Sequence, residues 1–228
     1  MRSTFETQEL YNYSKQGDLI GELINEVIYE DCYEMRNFFK TNDKQIDYVI
    51  DIGANIGIFT LLSSVLFPSA QKILIEPNVN NVGVIMDNLY GFNNAVIYNV
   101  ALGDGGKYKM QFDQRWSGSD KTISNMDGDI SSLTIADIIN LTNGGNYIIK
   151  IDCEGAEKFL LTADKSIFDK CQYFVCEFHE GVDNNLKEFD KWVYNTFNDR
   201  FDIKIPNWGQ VDVLNPNNAI INYIIKIK

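Results

Sequence analysis

At 228 residues, with 45% apolar and 23% charged residues, the chain is long enough for one α/β domain with a full core. It carries 32 acidic against 20 basic residues, a formal net charge of −12. That balance argues against the broad basic surface that holds nucleic acid or an anionic membrane.

Cys32, Cys153, Cys171 and Cys176 form no C-x-x-C pair and no metal-finger spacing. They predict reduced thiols in a cytoplasmic setting. No basic-then-apolar opening is present and no apolar run nears ~18 residues, so neither a secretion leader nor a membrane span is expected.

Residues 1–45 are expected as an appendage packing on a core domain of 46–228. Within it Leu19, Ile20, Leu23, Ile24, Val27 and Ile28 suit a helix face, although Glu26 to Glu30 could equally be extended. Glu30 to Phe39 looks helical. Glu30 and Tyr33 read as surface and packing residues.

Tyr48 to Ile52 is a β-branched and aromatic run, the pattern of a buried strand. Gly53 and Gly57 then break the chain. After them Ile58, Leu61, Leu62, Val65 and Leu66 recur with the period of an amphipathic helix. Strand, glycine turn and helix begin a nucleotide-binding α/β unit, and the turn's backbone N–H groups can approach a polar ligand closely. A dinucleotide fingerprint needs G-x-G-x-x-G. Here Asp51 fills the first glycine position, with Gly53, Ala54, Asn55 and Gly57 after it. A carboxylate repels a pyrophosphate but attracts an ammonium, which points to S-adenosylmethionine.

Lys72 to Ile75 is the second strand, ending at Glu76-Pro77-Asn78. Glu76 follows Gly57 by 19 residues, close to the ~20-residue offset at which an acidic side chain accepts from ribose hydroxyls. Val82, Ile85, Met86 and Leu89 mark a helix. Ala95 to Val100 is a third strand turning at Ala101-Leu102-Gly103-Asp104, where Val100 to Leu102 are candidates to border an adenine. Residues 105–130, with several glycines and Trp116, break the αβ rhythm and read as an irregular excursion with short strands. Ser132 to Leu141 suits a short helix with Thr134 as N-cap.

Tyr147 to Ile151 is the fourth strand, followed by Asp152-Cys153-Glu154-Gly155-Ala156-Glu157 and a helix through Phe159, Leu160 and Ala163. Gln172 to Cys176 is the fifth, ending in Glu177-Phe178-His179-Glu180. Leu186, Phe189, Val193 and Phe197 mark a long helix. Phe201 to Ile205 and Ala219 to Ile227 are the last two strands. With no helix between them they form a hairpin, so one is antiparallel.

Ligands of open α/β sheets sit beyond the carboxyl ends of the strands. Strands one, four and five therefore bring Asp51, Asp152, Glu177 and His179, the only histidine, to one crevice. Two roles are open. His179 could be the general base that takes a hydroxyl proton. Alternatively Asp152, Glu177 and His179 could hold Mg²⁺ or Mn²⁺, which would lower the hydroxyl's pKa and orient it. Lys150 and Glu154 could support either arrangement.

Val49 to Gly57, Ile75 to Asn78, Ile149 to Glu157 and Cys176 to His179 together resemble the FkbM family of S-adenosylmethionine-dependent methyltransferases, over roughly Asp47 to His179. The resemblance implies a Rossmann-like class I methyltransferase fold with a seven-stranded, mostly parallel sheet, an antiparallel C-terminal strand and helices on both faces. It also implies transfer to a hydroxyl oxygen. Members act on sugars of surface glycans and on macrocyclic natural products. Carried onto this chain, Asp51, Gly53, Asn55, Gly57 and Glu76 would hold the cofactor, bordered by Ala54, Pro77, Asn78 and Ala101, with Asp152 near the methyl. A sugar hydroxyl in a glycan is the expected acceptor, with Trp116 and Trp208 available to stack on sugar faces. Residues 1–45 and those after 205 match nothing in the family.

Rival readings predict other features. A nicotinamide oxidoreductase needs the missing G-x-G-x-x-G, and a non-catalytic nucleotide-binding module would leave the strand-four and strand-five ends inert. Methylation of nucleic-acid amines favours Asn-Pro-Pro-aromatic and a basic face. None of these is seen.

Overall fold

A computed structural model of the chain describes residues 17–112, 120–181, 185–205 and 220–227. Helix α1 (Gly17–Ile24) runs into a π-helical turn (Asn25–Tyr29), and α2 (Met35–Thr41) leads to the first core strand. Then follow β1 (Tyr48–Ile52), α3 (Ile58–Leu66), β2 (Gln71–Ile75), α4 (Val79–Asn88) and β3 (Ala95–Tyr98). The excursion holds β4 (Ala101–Leu102), β5 (Lys107–Gln111), β6 (Lys121–Ser124) and β7 (Ile130–Leu133), and α5 (Ile135–Asn140) closes it. The second half is β8 (Tyr147–Ile151), two 3₁₀ turns (Ala156–Thr162 and Lys165–Phe168), β9 (Cys171–His179), α6 (Leu186–Phe197), β10 (Phe201–Lys204) and β11 (Ile220–Ile227).

Seven strands form one sheet in the order β10-β11-β9-β8-β1-β2-β3. β1 pairs in parallel with β2 and β8, and β8 with β9; β11 runs antiparallel to both β9 and β10. This is the Rossmann-like class I methyltransferase arrangement. β11 is the reversed strand of the sheet, antiparallel to both of its neighbours.

The central strands are buried on both faces, which is why they read as continuous apolar runs. One core packs Ile50, Ile149 and Phe174 against α5 and α6 through Ile138, Phe189 and Val193. The other packs Val49, Leu74, Ile148 and Val175 against α3 and α4 through Phe59, Leu62 and Ile85. The N-terminal segment joins this second core with Val27, Tyr33, Met35 and Phe38. Phe38 stacks on Tyr173 at 4.4 Å, and the Tyr173 hydroxyl donates to the Tyr33 carbonyl at 2.9 Å.

Several elements differ locally from expectation. Asn25 to Tyr29 is π-helical rather than extended, with Glu30 N–H donating to the Asn25 carbonyl. The short strands expected in the excursion join Ala101–Leu102 in a second sheet, β4-β7-β5-β6. Ser132 and Leu133 belong to β7, so the following helix starts at Ile135, behind a Thr134–Asp137 capping box. No helix among the described residues is long and apolar enough to cross a membrane. Trp116, Trp208 and the segment before residue 17 lie outside the described residues.

Candidate active site

Beyond the carboxyl ends of β8, β1, β2 and β3 lies an open cleft. Its floor is set by a charge pair inside the sheet. Asp51 and Lys150 are register partners on neighbouring strands, and they are only 1% and 4% exposed. The Lys150 ammonium donates to the Gly53 carbonyl at 2.7 Å and lies 3.3 Å from Asp152 Oδ2 and 3.6 Å from Asp51 Oδ1. Thr60 on α3 donates to the other Asp51 oxygen at 2.7 Å. Burial favours a neutral Lys150, but Asp152 and Asp51 outweigh it and hold the amine protonated above its ordinary range. Burial likewise raises Asp51, against the pull of Lys150.

The glycine turn fits closely over this pair. Gly53 has φ +72°, and a Cβ there would fall 1.8 Å from the Asp152 carbonyl oxygen. Asn55 also takes a left-handed conformation, φ +51°. Its N–H donates to Glu76 Oε2 at 2.8 Å, while Asn78 N–H donates to Glu76 Oε1 at 2.8 Å. Burial pushes the Glu76 carboxyl up to about 7, although these N–H groups favour the ionised form.

Of the expected cofactor residues, Gly53, Asn55, Glu76, Pro77, Ala101 and Asp152 line the cleft. Ala54, Gly57 and Asn78 stand behind it: Ala54 and Asn78 are buried, and Gly57 packs on Ile85. Asp51 stands behind the lining, with Oδ2 accepting from Thr60 and Oδ1 3.6 Å from Lys150. Ile52, Ile75, Leu102 and Met110 supply apolar wall. Four carboxylates, Glu76, Asp120, Asp152 and Glu154, line the cleft, and no lysine or arginine does so among the described residues. That set of acceptors does not fit a pyrophosphate. It fits a ligand with a diol, a flat base and positive charge.

At the β8 and β9 ends the acidic block folds around His179. Glu157 is fully buried and accepts from the Cys153 and Gly155 N–H groups at 2.8 and 3.0 Å, pinning the turn. Its Oε1 lies 3.5 Å from His179 Nδ1. His179 Nε2 lies 3.5 Å from both Glu154 and Glu177. Burial alone would lower His179, but Glu157, Glu177 and Glu154 raise it well above the usual histidine range. Burial pushes Glu154 up to about 8 and also raises Glu177, on which Asp152 acts in the same direction.

Glu177 and His179 therefore sit beside the cleft, not in its lining. Among the described residues, the three groups brought within common metal-ligand reach are Asp152, Glu154 and His179, with ligand atoms within 4.8 Å of one another. Glu154 stands where Glu177 was expected. It lies in a left-handed turn, φ +53°, that follows β8 and returns its side chain toward His179.

Other neighbours had little sequence signal. Glu26 on the π-helical turn is pushed up to about 7 by burial and by the charges of Glu177 and Asp152; its only mark was a carboxylate inside an apolar stripe. Met110, Asp120 and Thr122 reach the cleft from the second sheet. The signal for Glu157 was its three-residue spacing from Glu154.

The methyltransferase FkbM domain model matches residues 51–200. No curated protein matches the chain. Among solved structures, the METTL16 methyltransferase domain aligns at 10% identity over 88% of this chain and 66% of that one, with a TM-score of 0.50. SMU.1697c from Streptococcus mutans, in complex with S-adenosylhomocysteine, aligns at 12% identity over 87% and 97%, with a TM-score of 0.49. An rRNA methylase from Streptococcus thermophilus aligns at 12% identity over 84% and 93%, with a TM-score of 0.47.

Proposed function

The chain belongs to the methyltransferase FkbM domain family, and from that premise we propose that it moves a methyl group from S-adenosylmethionine to a hydroxyl oxygen of a sugar unit in a glycan. The observation that carries the cofactor is the acidic lining of the cleft, four carboxyl groups with no basic side chain among its described lining residues. Such a cleft attracts a sulfonium and an ammonium and repels phosphate. The sulfonium supplies an electrophilic methyl, so what remains for the protein is to place the acceptor oxygen in line and to remove its proton.

Glu76 accepts from Asn78 and Asn81 at Oε1 and from Asn55 at Oε2, and the acceptor site left on Oε2 suits a ribose hydroxyl. The turn at Gly53 and Asn55, with Asp152, borders the amino-acid end. Lys150 holds Asp152 and the Gly53 carbonyl in fixed relation. Asp152, Glu154 and His179 form the acceptor-side group, with Glu177 against the imidazole. The surrounding glutamates keep a proton on His179, which favours a role as one member of this group over that of a lone neutral base. Hard carboxylate oxygens with one imidazole also suit Mg²⁺ or Mn²⁺, which would displace a proton from His179 on binding and lower the pKa of an acceptor hydroxyl.

The test is transfer of labelled methyl to a panel of neutral glycans and macrocyclic alcohols, with and without chelator. Wild type is expected to methylate a sugar hydroxyl. Asp152→Ala and His179→Ala lose transfer, and His179→Ala retains S-adenosylhomocysteine binding. Full activity in both variants removes their assigned roles. Activity that survives exhaustive chelation removes the metal, and transfer only to a macrocyclic alcohol changes the acceptor class alone.

A further inference from the structure

The sheet face under the N-terminal segment carries polar groups that the cofactor cleft does not use. Alternate residues of β9 point to that face. Tyr173 and Val175 enter the second core, and Glu177 and His179 follow at the carboxyl end. On β11, Ile224 pairs with Val175 and Asn222 with Glu177, so Asn222 points to the same face. Asn222 is only 3% exposed, and its Oδ1 has no hydrogen-bond partner among the described residues. A buried carbonyl oxygen left unmet costs about 1–3 kcal/mol.

The N-terminal segment lies over this face. Its Tyr33 carbonyl sits on the Tyr173 hydroxyl, and Val27 joins the same core. Cys32 N–H donates to the Glu26 carbonyl at 3.1 Å, so the π-helical turn is tied to the residues that rest on β9. Single π turns of this kind recur at functional sites. Burial, then the charges of Glu177 and Asp152, push the Glu26 carboxyl up to about 7. Near neutral pH it both donates and accepts, as a hydroxyl does. Glu26 and Asn222 lie outside residues 51–200, the span of the methyltransferase domain match. They come from opposite ends of the chain and converge on Glu177, the carboxyl group beside His179.

Resting on the reading of Asp152, Glu154 and His179 as the acceptor-side group, we infer that Glu26 and Asn222 select the acceptor: with Glu177 they accept hydrogen bonds from the hydroxyls that neighbour the one being methylated. Two carboxyl groups and an amide carbonyl offer acceptor oxygens close together, so the ligand must bring several donors at the same spacing. The vicinal hydroxyls of a sugar ring do so, and an isolated alcohol on a macrocycle does not. One such hydroxyl also meets the orphaned Asn222 Oδ1. The site therefore requires free hydroxyls beside the target and rejects analogues that lack them.

The experiment measures methyl transfer by the full chain to the sugar that wild type methylates in the glycan panel, prepared as its methyl glycoside. The same glycoside lacking one or the other hydroxyl beside the target is compared with it. Wild type prefers the parent by about tenfold or more in kcat/KM, the scale of one hydrogen bond to a charged group. Glu26→Ala raises KM for the parent about tenfold and loses the preference at one neighbouring position, because parent and deoxy sugar then lack the same bond. Glu26→Gln, which still donates and accepts, restores part of it. Asn222→Ala loses the preference at the other position. Both alanine variants keep wild-type affinity for S-adenosylhomocysteine. A preference unchanged in either variant, or deoxy sugars accepted equally by wild type, overturns the inference while leaving the transfer reading intact. Transfer by wild type to no sugar overturns the acceptor reading and this inference with it.

Discussion

Lys150 is the residue on which the cleft floor depends. It stands between two carboxylates, Asp51 inside the sheet and Asp152 just beyond β8, and its third contact is a backbone carbonyl of the glycine turn. Removing one partner of a buried ion pair leaves an uncompensated charge and costs about 3–5 kcal/mol. Lys150→Met is therefore expected to lower the urea and thermal midpoints strongly, and adding Asp51→Asn recovers part of the loss. Glu76 supplies a pH signature. Its carboxyl is raised from the ordinary 4.5 to about 7, so between those values the folded chain holds a proton that the unfolded chain has lost. Its contribution to stability falls as pH rises through that window. A ribose diol binds the ionised form, so binding releases the proton. S-adenosylhomocysteine affinity is expected to rise from about pH 6 to about pH 8, and Glu76→Gln flattens that rise by calorimetry.

At the scale of elements, the glycine turn and the β8 turn are built against each other. A Cβ at Gly53 collides with the Asp152 carbonyl, and its φ of +72° is one that L side chains rarely adopt. Gly53→Ala is expected to lower the thermal midpoint and to abolish S-adenosylhomocysteine binding together, because relief of the clash moves β1 away from β8. Strands β1 and β8 were legible residue for residue, since parallel strands buried on both faces are continuous apolar runs. β9 was legible only to Cys176. It continues to His179 because Glu177 and His179 alternate with buried Phe178 and pair with Asn222 and Ile220 of β11, a partner more than 40 positions away. The helix expected from Phe159 begins at Ala156 and is 3₁₀. The second sheet was hidden by its glycines and by strands of only two to five residues. The grouping of Glu154, Glu157 and Glu177 around His179 depends on how the turn after β8 folds against the end of β9, which no local pattern encodes.

For the whole molecule, a formal charge of −12 sets the partners it can hold. Binding a polyanion is driven by release of counterions to clustered lysine and arginine. This chain has 20 such residues against 32 acidic ones. Fluorescence anisotropy with single- and double-stranded RNA is expected to show no salt-dependent binding; tight binding at low salt would point to a nucleic-acid acceptor instead of a neutral polyhydroxyl one. The central claim is the methyl donor, and calorimetric titration with S-adenosylhomocysteine tests it most directly, run with Mg²⁺, with Mn²⁺ and after chelation. The account predicts saturable one-to-one binding, retained after chelation, because of the cofactor residues along the cleft only Asp152 belongs to the His179 group. Absence of binding in every condition would contradict it.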